Sequence, residues 1–178
     1  MATPSLATPR LLLRSLTLEH LPSLVCWEAD AELRHLNDED PDPAPAHEVE
    51  AIVRGWLAPG RVDLLPFAIH LRSDDRCVGW CMLAAIDPAA GECRIGFTLG
   101  ERELWGSGLG REVLSALLDH AFQNLGLWRV LGEVHAFNLR SRRLLERAGF
   151  QLIHTEPGAI RRGNHLHDEL VFSLQRPA

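Results

Sequence analysis

The chain contains no lysine and no tyrosine, so all 18 of its basic residues are arginines. A Schiff-base lysine, a P-loop lysine and a tyrosine proton donor are therefore excluded. The four cysteines, Cys26, Cys77, Cys81 and Cys93, include no C-x-x-C pair of the kind found in many zinc sites. A metal site formed by Cys77, Cys81 and Cys93 is the alternative, but isolated cysteines are most often core residues. We therefore expect no bound metal.

Long apolar runs are also absent. No segment approaches the ~18 consecutive apolar residues of a transmembrane helix, and residues 1–9 lack the layout of a secretory signal. These features predict a cytoplasmic protein without a membrane partner. The net charge of -6 argues against general nucleic-acid binding, which requires a basic surface. A length of 178 residues with 46% hydrophobic content favours a single domain over residues 1–178.

The apolar periodicities predict an α/β (α+β) protein with one mixed sheet. The predicted strands are 11–16, 66–72, 76–86, 92–99, 128–137, 150–154 and 166–174. The predicted helices are 18–29, 47–57, 109–125 and 141–148. Residues 30–45 are rich in acidic residues and proline and are expected to form a loop. The strand–helix–strand passage over 92–137 favours one parallel pair, and the hairpins favour antiparallel pairing elsewhere.

The segment Trp105-Gly-Ser-Gly-Leu-Gly-Arg111 is the most distinctive motif, and it comes directly before the strongest predicted helix. Glycines let backbone amides approach a ligand, and a helix N-terminus favours anions, so the segment predicts a phosphate site. The dinucleotide motif G-x-G-x-x-G fails because Arg111 and Val113 stand where its last glycine should be, and the P-loop fails for lack of lysine. We expect Arg102 and Arg111 to add charge-assisted contacts.

The flanks of this turn carry a resemblance to a known family. Ile95-Gly-Phe-Thr-Leu99 precedes it, and Asn138-Leu-Arg-Ser141 and Leu145-Glu-Arg-Ala-Gly-Phe150 follow it. Together these segments resemble the GNAT superfamily of acetyl-CoA-dependent N-acetyltransferases, over essentially the whole chain. The opening Thr8-Pro-Arg-Leu-Leu-Leu-Arg14 resembles the RimJ/RimL-like branch, which acetylates protein N-termini and other amines. The resemblance implies a GNAT-like twisted, mostly antiparallel sheet of about six to seven strands, with helices on both faces and splayed central parallel strands.

The resemblance also implies which residues bind the cosubstrate acetyl-CoA. The residues expected at the CoA pyrophosphate are Trp105, Gly106, Ser107, Gly108, Leu109, Gly110 and Arg111. The pantetheine arm would lie along Phe97, Thr98 and Leu99 and contact Asn138. Ser141 would lie near the thioester sulfur.

The catalytic residues are predicted from what acetyl transfer requires. A backbone N–H around Thr98–Leu99 is expected to stabilise the oxyanion formed at the thioester. Many members of the family protonate the leaving thiolate with a tyrosine that this chain lacks, and Ser141 is its predicted replacement. The alternative role of Ser141 is to cap the following helix.

The branch often carries a glutamate where this chain has Arg94, which leaves the general base open. Glu92 lies two residues earlier, on the same strand face, and is the predicted base. The other candidates are His135, His154, His165 and Asp168.

The leading hypothesis is an acetyl-CoA-dependent N-acetyltransferase that acts on a primary amine, either a peptide N-terminus or a small molecule. A homodimer is compatible with this interpretation. The alternative from another class is a catalytically silent, CoA-binding regulatory module. A third hypothesis, a purely structural interaction protein, would treat the glycine segment as an ordinary tight turn.

Overall fold

The computed structural model describes residues 4–37 and 42–176, and they form one eight-stranded sheet with helices against it. The strands are β1 (Leu6–Ala7), β2 (Leu11–Ser15), β3 (Leu65–Leu71), β4 (Cys77–Asp87), β5 (Glu92–Leu99), β6 (Arg129–His135), β7 (Gln151–Arg162) and β8 (His165–Gln175). The α-helices are α1 (Leu21–Glu28), α2 (Ala31–Asn37), α3 (Ala46–Trp56), α4 (Leu109–Asp119) and α5 (Leu139–Arg147). No helix in the described part of the chain is long and apolar enough to cross a membrane.

The sheet runs in the order β1-β2-β3-β4-β5-β6-β8-β7, and its one parallel pair is β5 with β6. This confirms the predicted mixed, mostly antiparallel sheet. The parallel pairing begins at Glu92 and Arg129 and ends at Ile95 and Gly132. Beyond that point a cavity of about 210 Å³ lies between the two strands. The central strands therefore splay apart towards their C-terminal ends.

Helices cover both faces of the sheet, as the alternation of side chains along β3 shows. Phe67 and Ile69 are fully buried in the larger apolar cluster, which contains the apolar face of α4. Ala68, between them, packs in the second cluster with side chains of α1, α2 and α3. Successive strand residues point to opposite faces, so the two clusters lie on the two sides of the sheet.

The prediction of a loop over 30–45 was wrong for its first part, because α2 occupies residues 31–37. The Asp30 carboxylate accepts hydrogen bonds from the backbone N–H groups of Glu32 and Leu33, at 2.9 and 3.1 Å, and so starts the helix. Leu33 is buried against the second cluster. Tertiary burial thus stabilises a helix too short to show a periodicity. Residues 38–41 of the predicted loop lie outside the described residues.

Several element boundaries differ from the prediction; the largest differences are in two elements, and one strand was not predicted. The helix predicted over 109–125 is α-helical to Asp119 and continues as a π-turn over His120–Asn124. β7 continues to residue 162 rather than ending at 154, since it is an edge strand and tolerates Pro157 with a register shift between Glu156 and Ile160. The eighth strand, β1, has only two residues and carries no sequence signal.

Candidate active site

A groove of about 800 Å³ runs between the glycine turn, the end of β5 and helix α5. Ten of the predicted cosubstrate and catalytic residues line it: Phe97, Thr98, Leu99, Trp105, Gly106, Gly108, Gly110, Arg111, Asn138 and Ser141. Two others do not. Leu109 is buried in the core, and Ser107 is exposed with its hydroxyl donating to the Leu104 carbonyl at 2.5 Å. The fold therefore brings most of the predicted site together.

The glycine turn has a backbone that other residues would strain. Gly106 and Gly108 have φ angles of 77° and 89°, and Gly108 is the N-cap of α4. The amides of Leu109 and Gly110 belong to the first turn of that helix, where no carbonyl one turn earlier is available to accept from them. These N–H groups, together with the helix dipole, form a site for an anion.

Arg10 holds this turn from the N-terminal segment of the chain. Its Nη1 donates to the Ser107 carbonyl at 3.0 Å, and its guanidinium forms an ion pair with Glu112 on α4. Thr8 donates to the same carboxylate at 2.6 Å. The opening segment of the chain thus positions the phosphate site without lining it.

Four arginines line the groove: Arg111, Arg140, Arg143 and Arg147. The last three lie on α5 at spacings of three and four residues, so they share one face of that helix. The guanidinium of Arg140 also lies 4.0 Å from the ring centroid of Trp105, whose indole N–H donates to the Leu99 carbonyl at 2.7 Å. None of the described lining residues is acidic, so the groove suits an elongated ligand with several phosphates.

Asn138 is the N-cap of α5. Its Oδ1 accepts from the Ser141 backbone N–H, and its Nδ2 donates to the Leu36 carbonyl of α2, both at 3.1 Å. The alternative role proposed for Ser141, capping this helix, was therefore wrong: Asn138 is the cap. Ser141 stands in the first turn of α5 and lines both the groove and the cavity between the splayed strands.

The cavity between the splayed strands is the second part of the site. It shares Phe97, Thr98, Asn138 and Ser141 with the groove, so the two spaces meet at these residues. His135 lines the cavity, is 7% exposed, and its Nδ1 has no hydrogen-bond partner within the described structure. Burial, together with the charges of Arg162 and His35, lowers the pKa of His135 to about 4. Its imidazole is therefore neutral at physiological pH.

Sequence comparison identifies the family. A model described as the acetyltransferase (GNAT) domain matches residues 10–151, which include the groove, the glycine turn and the whole of α5. The chain belongs to the GNAT acetyltransferases. This match overturns the hypothesis of a purely structural interaction protein, because the glycine turn is part of an acetyltransferase domain.

Individual relatives support the same assignment for this GNAT protein. It is 30% identical to the uncharacterized N-acetyltransferase p20 of Bacillus licheniformis over 149 residues, 83% of this chain and 82% of that protein. It is also 30% identical to the FsC-acetyl coenzyme A-N(2)-transacetylase of Aspergillus fumigatus, over 87% of this chain and 67% of that protein. The chain is an N-acetyltransferase.

Solved structures share the fold of this GNAT protein. RimL, a ribosomal L7/L12 alpha-N-protein acetyltransferase solved with coenzyme A, superposes with a TM-score of 0.84 at 20% identity, over 97% of this chain and 98% of that one. The spermidine N-acetyltransferase of Vibrio cholerae, solved with CoA and spermine, gives 0.83 at 17% identity, over 94% and 96% of the two chains. These likenesses confirm the GNAT fold.

The predicted base Glu92 lies away from the GNAT site. It starts β5, forms an ion pair with Arg129 at 2.7 Å, and lines a separate depression together with Arg94 and Leu131. Its carboxylate lies where β5 and β6 are still paired, whereas the cavity between the splayed strands opens only after they part. The prediction placed Glu92 on the same face of β5 as Arg94 but did not consider how far along the strand the site lies.

Of the other four candidate bases, all of them described, only His135 lines the cavity. His154 is exposed and pairs with Glu156 at 3.1 Å. His165 is exposed on β8, and Asp168 accepts from the Gly158 amide at 3.0 Å.

The arginine assignments also changed. Arg102, expected at the phosphate, instead bonds to Asp30 and Glu32 at 3.1 and 2.8 Å and does not line the groove. Arg140, Arg143 and Arg147 were missed. Their helical spacing was visible in the sequence, but it points to a ligand only once α5 is known to face the glycine turn.

Proposed function

We propose that this protein transfers an acetyl group from acetyl-CoA to the α-amine of a peptide or to another weakly basic primary amine. The observation that carries the proposal is the meeting of two unlike spaces at Ser141. One is a groove lined by arginines and free helix-terminal amides, and the other is a small cavity containing a neutral histidine.

The groove supplies the donor site. The amides at the start of α4 and the side chain of Arg111 bind the pyrophosphate, and the arginine face of α5 binds the remaining phosphate charge. Phe97 and Leu144 form an apolar path from the turn to the gap between the strands. Acetyl-CoA, an anion with a long and mostly uncharged arm, fits this order of charge and apolar surface.

The end of β5 supplies the oxyanion site. The Gly100 N–H bonds to the Val78 carbonyl of β4 at 2.9 Å. Because the backbone N–H groups of a strand alternate in direction, the N–H of Leu99 points to the opposite side, towards the gap. The Leu99 carbonyl points the same way and is bonded by Trp105 at 2.7 Å. The Leu99 N–H therefore donates to the thioester oxygen as negative charge develops there.

Ser141 stands where the two spaces meet and protonates the leaving thiolate. When the amine nitrogen bonds to the acetyl carbon, the carbon–sulfur bond breaks, the nitrogen loses one proton and the sulfur gains one. Ser141 gives its proton to the thiolate and regains one from the nitrogen, so the hydroxyl is restored. A thiol pKa of about 8.5 makes this a mild demand on the donor. The serine hydroxyl fits the task, since the Ser141 backbone rather than its side chain is engaged by Asn138.

His135 decides which amines are accepted. With a pKa of about 4 it cannot take a proton from an ammonium ion, so the amine must enter neutral, with an N–H donating to Nδ1. At pH 7 deprotonation costs an α-amine about 1 kcal/mol and an aliphatic amine of pKa near 10.4 about 5 kcal/mol. The α-amine is therefore the favoured acceptor.

The charge of the cavity supports this preference. Among the described residues that line it, Glu133 is the one carboxylate, and it is ion-paired with Arg94. A polyamine would require several unneutralised carboxylates to replace its solvation.

A peptide that carries both a free α-amine and an internal lysine tests the proposal within one molecule. After incubation with acetyl-CoA at pH 7, mass spectrometry should place the acetyl group on the α-amine at least tenfold more often than on the lysine. Faster acetylation of the lysine, or of spermine in a parallel reaction, would contradict it. Acetylation of none of these amines would also contradict the proposed acceptor class.

A further inference from the structure

A second cluster of ligand-type side chains lies outside the acetyltransferase site. His20, His70 and Cys77 place one potential ligand atom each within 4.8 Å of the other two. His70 and Cys77 are paired neighbours on β3 and β4, so the sheet register holds them on one face. His20 ends the short 3-10 turn Leu18–His20 and reaches the pair from above the sheet. None of these three residues lines the groove or the cavity between the splayed strands.

The two imidazoles face each other through their Nε2 atoms, which are 3.1 Å apart. His70 Nδ1 donates to the backbone carbonyl of Asp75 at 2.9 Å, which leaves the lone pair on its Nε2. A carbonyl bonded to the far nitrogen is the usual second partner of a metal-binding histidine, because it fixes the tautomer and the ring orientation. His70 is therefore already arranged as a ligand.

His20 has partners for either tautomer. Its Nδ1 lies 3.0 Å from the Thr17 backbone N–H and 3.2 Å from the Thr17 carbonyl oxygen. Without a metal, Nδ1 accepts from Thr17 and Nε2–H donates to His70. With a metal, Nδ1–H donates to the Thr17 carbonyl in place of accepting from the Thr17 N–H, and both Nε2 lone pairs point into the same space.

We propose that His20, His70 and Cys77 bind one Zn²⁺ ion, with water as the fourth ligand. Tetrahedral zinc with Zn–N bonds of about 2.0–2.1 Å separates two nitrogen ligands by about 3.3 Å, close to the distance between the imidazoles. With a Zn–S bond of about 2.3 Å, the sulfur lies about 3.6 Å from each nitrogen. The three ligand atoms now lie within 4.8 Å of one another, so a side-chain adjustment of Cys77 brings the sulfur to the distance that zinc requires.

The donor types favour zinc over the hard cations. Two imidazoles and one thiolate suit a borderline-soft ion, whereas Mg²⁺ and Ca²⁺ require oxygen ligands. The charges that act on the three ligands are Glu19 and Arg14 at His20, Asp75 at His70, and Glu101 at Cys77. Two arginines oppose these carboxylates, since Arg14 is ion-paired with Asp75 at 2.8 Å and Arg76 with Glu101 at 3.4 Å. With Glu19 included, the surroundings carry a small net negative charge.

Zinc binding must displace the proton of Cys77. Burial raises the pKa of this thiol, which now donates to the Gly79 carbonyl at 3.6 Å. Zn²⁺ replaces that proton and forms the Zn–S bond, so each ion bound releases the thiol proton to solvent.

The test is a titration of the metal-stripped full chain with ZnCl₂ against a chromophoric chelator, with proton release followed by a pH indicator. The wild type should bind one ion per chain and release a proton. Cys77→Ser and His70→Gln should each bind at least 100-fold more weakly, and the Cys77→Ser complex should release no thiol proton. Cys26→Ser, at an exposed cysteine outside the cluster, is the matched control and should bind like the wild type.

Thermal unfolding without metal separates misfolding from ligand loss. Both cluster variants should retain a cooperative transition, since serine is nearly the size of cysteine and glutamine retains a polar group beside Asp75. Equal zinc affinity of Cys77→Ser and the wild type, or no zinc bound by the wild type, would overturn the proposal. Acetyltransferase activity is a separate readout, so failure of the zinc site leaves the proposed function untouched.

Discussion

Asn138 Oδ1 accepts a hydrogen bond from the backbone N–H of Ser141 at 3.1 Å, while its amide group donates to Leu36 at the same distance. One buried side chain thus caps α5 and ties it to α2. The arginine face of α5 and the hydroxyl of Ser141 depend on this placement. The cap therefore links the stability of the fold to the geometry of the site.

Asn138→Ala removes both hydrogen bonds, while the Leu36 backbone keeps its hydrogen bond to the His135 ring. Loss of a helix cap costs about 1 kcal/mol, and loss of the second hydrogen bond costs about 0.5–1.5 kcal/mol more, so we expect a destabilisation of about 1.5–2.5 kcal/mol. Urea unfolding followed by circular dichroism measures it. A change below about 0.5 kcal/mol would show that the cap contributes little, as surface substitutions commonly do.

The arginines of α5 offer a matched pair for testing the phosphate face. Arg143 lines the groove, whereas Arg142 points away and pairs with Glu146 at 2.8 Å. A charge-assisted hydrogen bond contributes about 1.5–3 kcal/mol, so Arg143→Gln should weaken CoA binding about 10- to 100-fold. Arg142→Gln should change it less than twofold. Calorimetry at two salt concentrations checks both, and equal losses in the two variants would place the phosphates elsewhere.

Ser141→Ala separates catalysis from binding. The backbone N–H of Ser141, rather than its side chain, donates to Asn138 Oδ1, so the variant retains the helix cap. General-acid catalysis raises reaction rates about 10²–10⁴-fold. Because a thiolate is a good leaving group that needs little help from an acid, we expect the lower end of this range, a fall in kcat of about 10²-fold. The Kd for CoA should change less than threefold. If kcat remained at the wild-type level, water rather than Ser141 would be the proton donor.

His135 makes the fold sensitive to acid. Its pKa is lowered from 6.5 in the unfolded chain to about 4 in the folded one, because burial disfavours the charged imidazole. Below pH 6.5 the unfolded state therefore binds a proton that the folded state does not, and stability falls as the pH falls towards 4. Between pH 7 and pH 5 this group should cost about 2 kcal/mol.

Urea unfolding of the wild type and of His135→Gln at pH 7 and pH 5 measures this contribution. The variant should lose about 2 kcal/mol less than the wild type over this range, whatever its stability at pH 7. Identical losses in the two proteins would mean that His135 is not held neutral. His20, whose pKa is also lowered by burial, contributes equally to both and cancels.

Much of the fold follows from the sequence because its signals are local. The strand over Glu92–Leu99 matches the prediction at both ends, and Gly126, with a φ of 68°, stands just beyond the turn that ends the α4 segment. Helix α2 was missed because its stability comes from the Asp30 cap and from burial of Leu33, neither of which makes a periodic pattern. Contacts between distant segments, such as Arg10 with Glu112, leave no trace in spacing.

The site was predictable as far as its motif extends. The glycine turn, the end of β5 and Ser141 were found because each lies in a short sequence motif that can be recognised without the structure. His135 could be named only as one base candidate among five, because its role depends on the gap between β5 and β6. The same gap excludes Glu92, and it is a property of the sheet rather than of either strand.

In the proposed function the glycine turn binds the acetyl donor, and CoA binding to a matched pair of glycine variants measures this contribution. Gly108 and Gly60 have similar φ angles of 89° and 82°, and a Cβ at Gly60 meets nothing within 4 Å. Both variants, Gly108→Trp and Gly60→Trp, place a side chain on a backbone of similar positive φ. Only Gly108 lines the groove, and its Cβ also meets Nη2 of Arg10, which holds the glycine turn, at 3.2 Å. A wild-type chain at 100 times its Kd for CoA should gain about 2.7 kcal/mol of stability. Gly60→Trp should retain this gain and Gly108→Trp should lose it; equal gains in both variants would contradict the account.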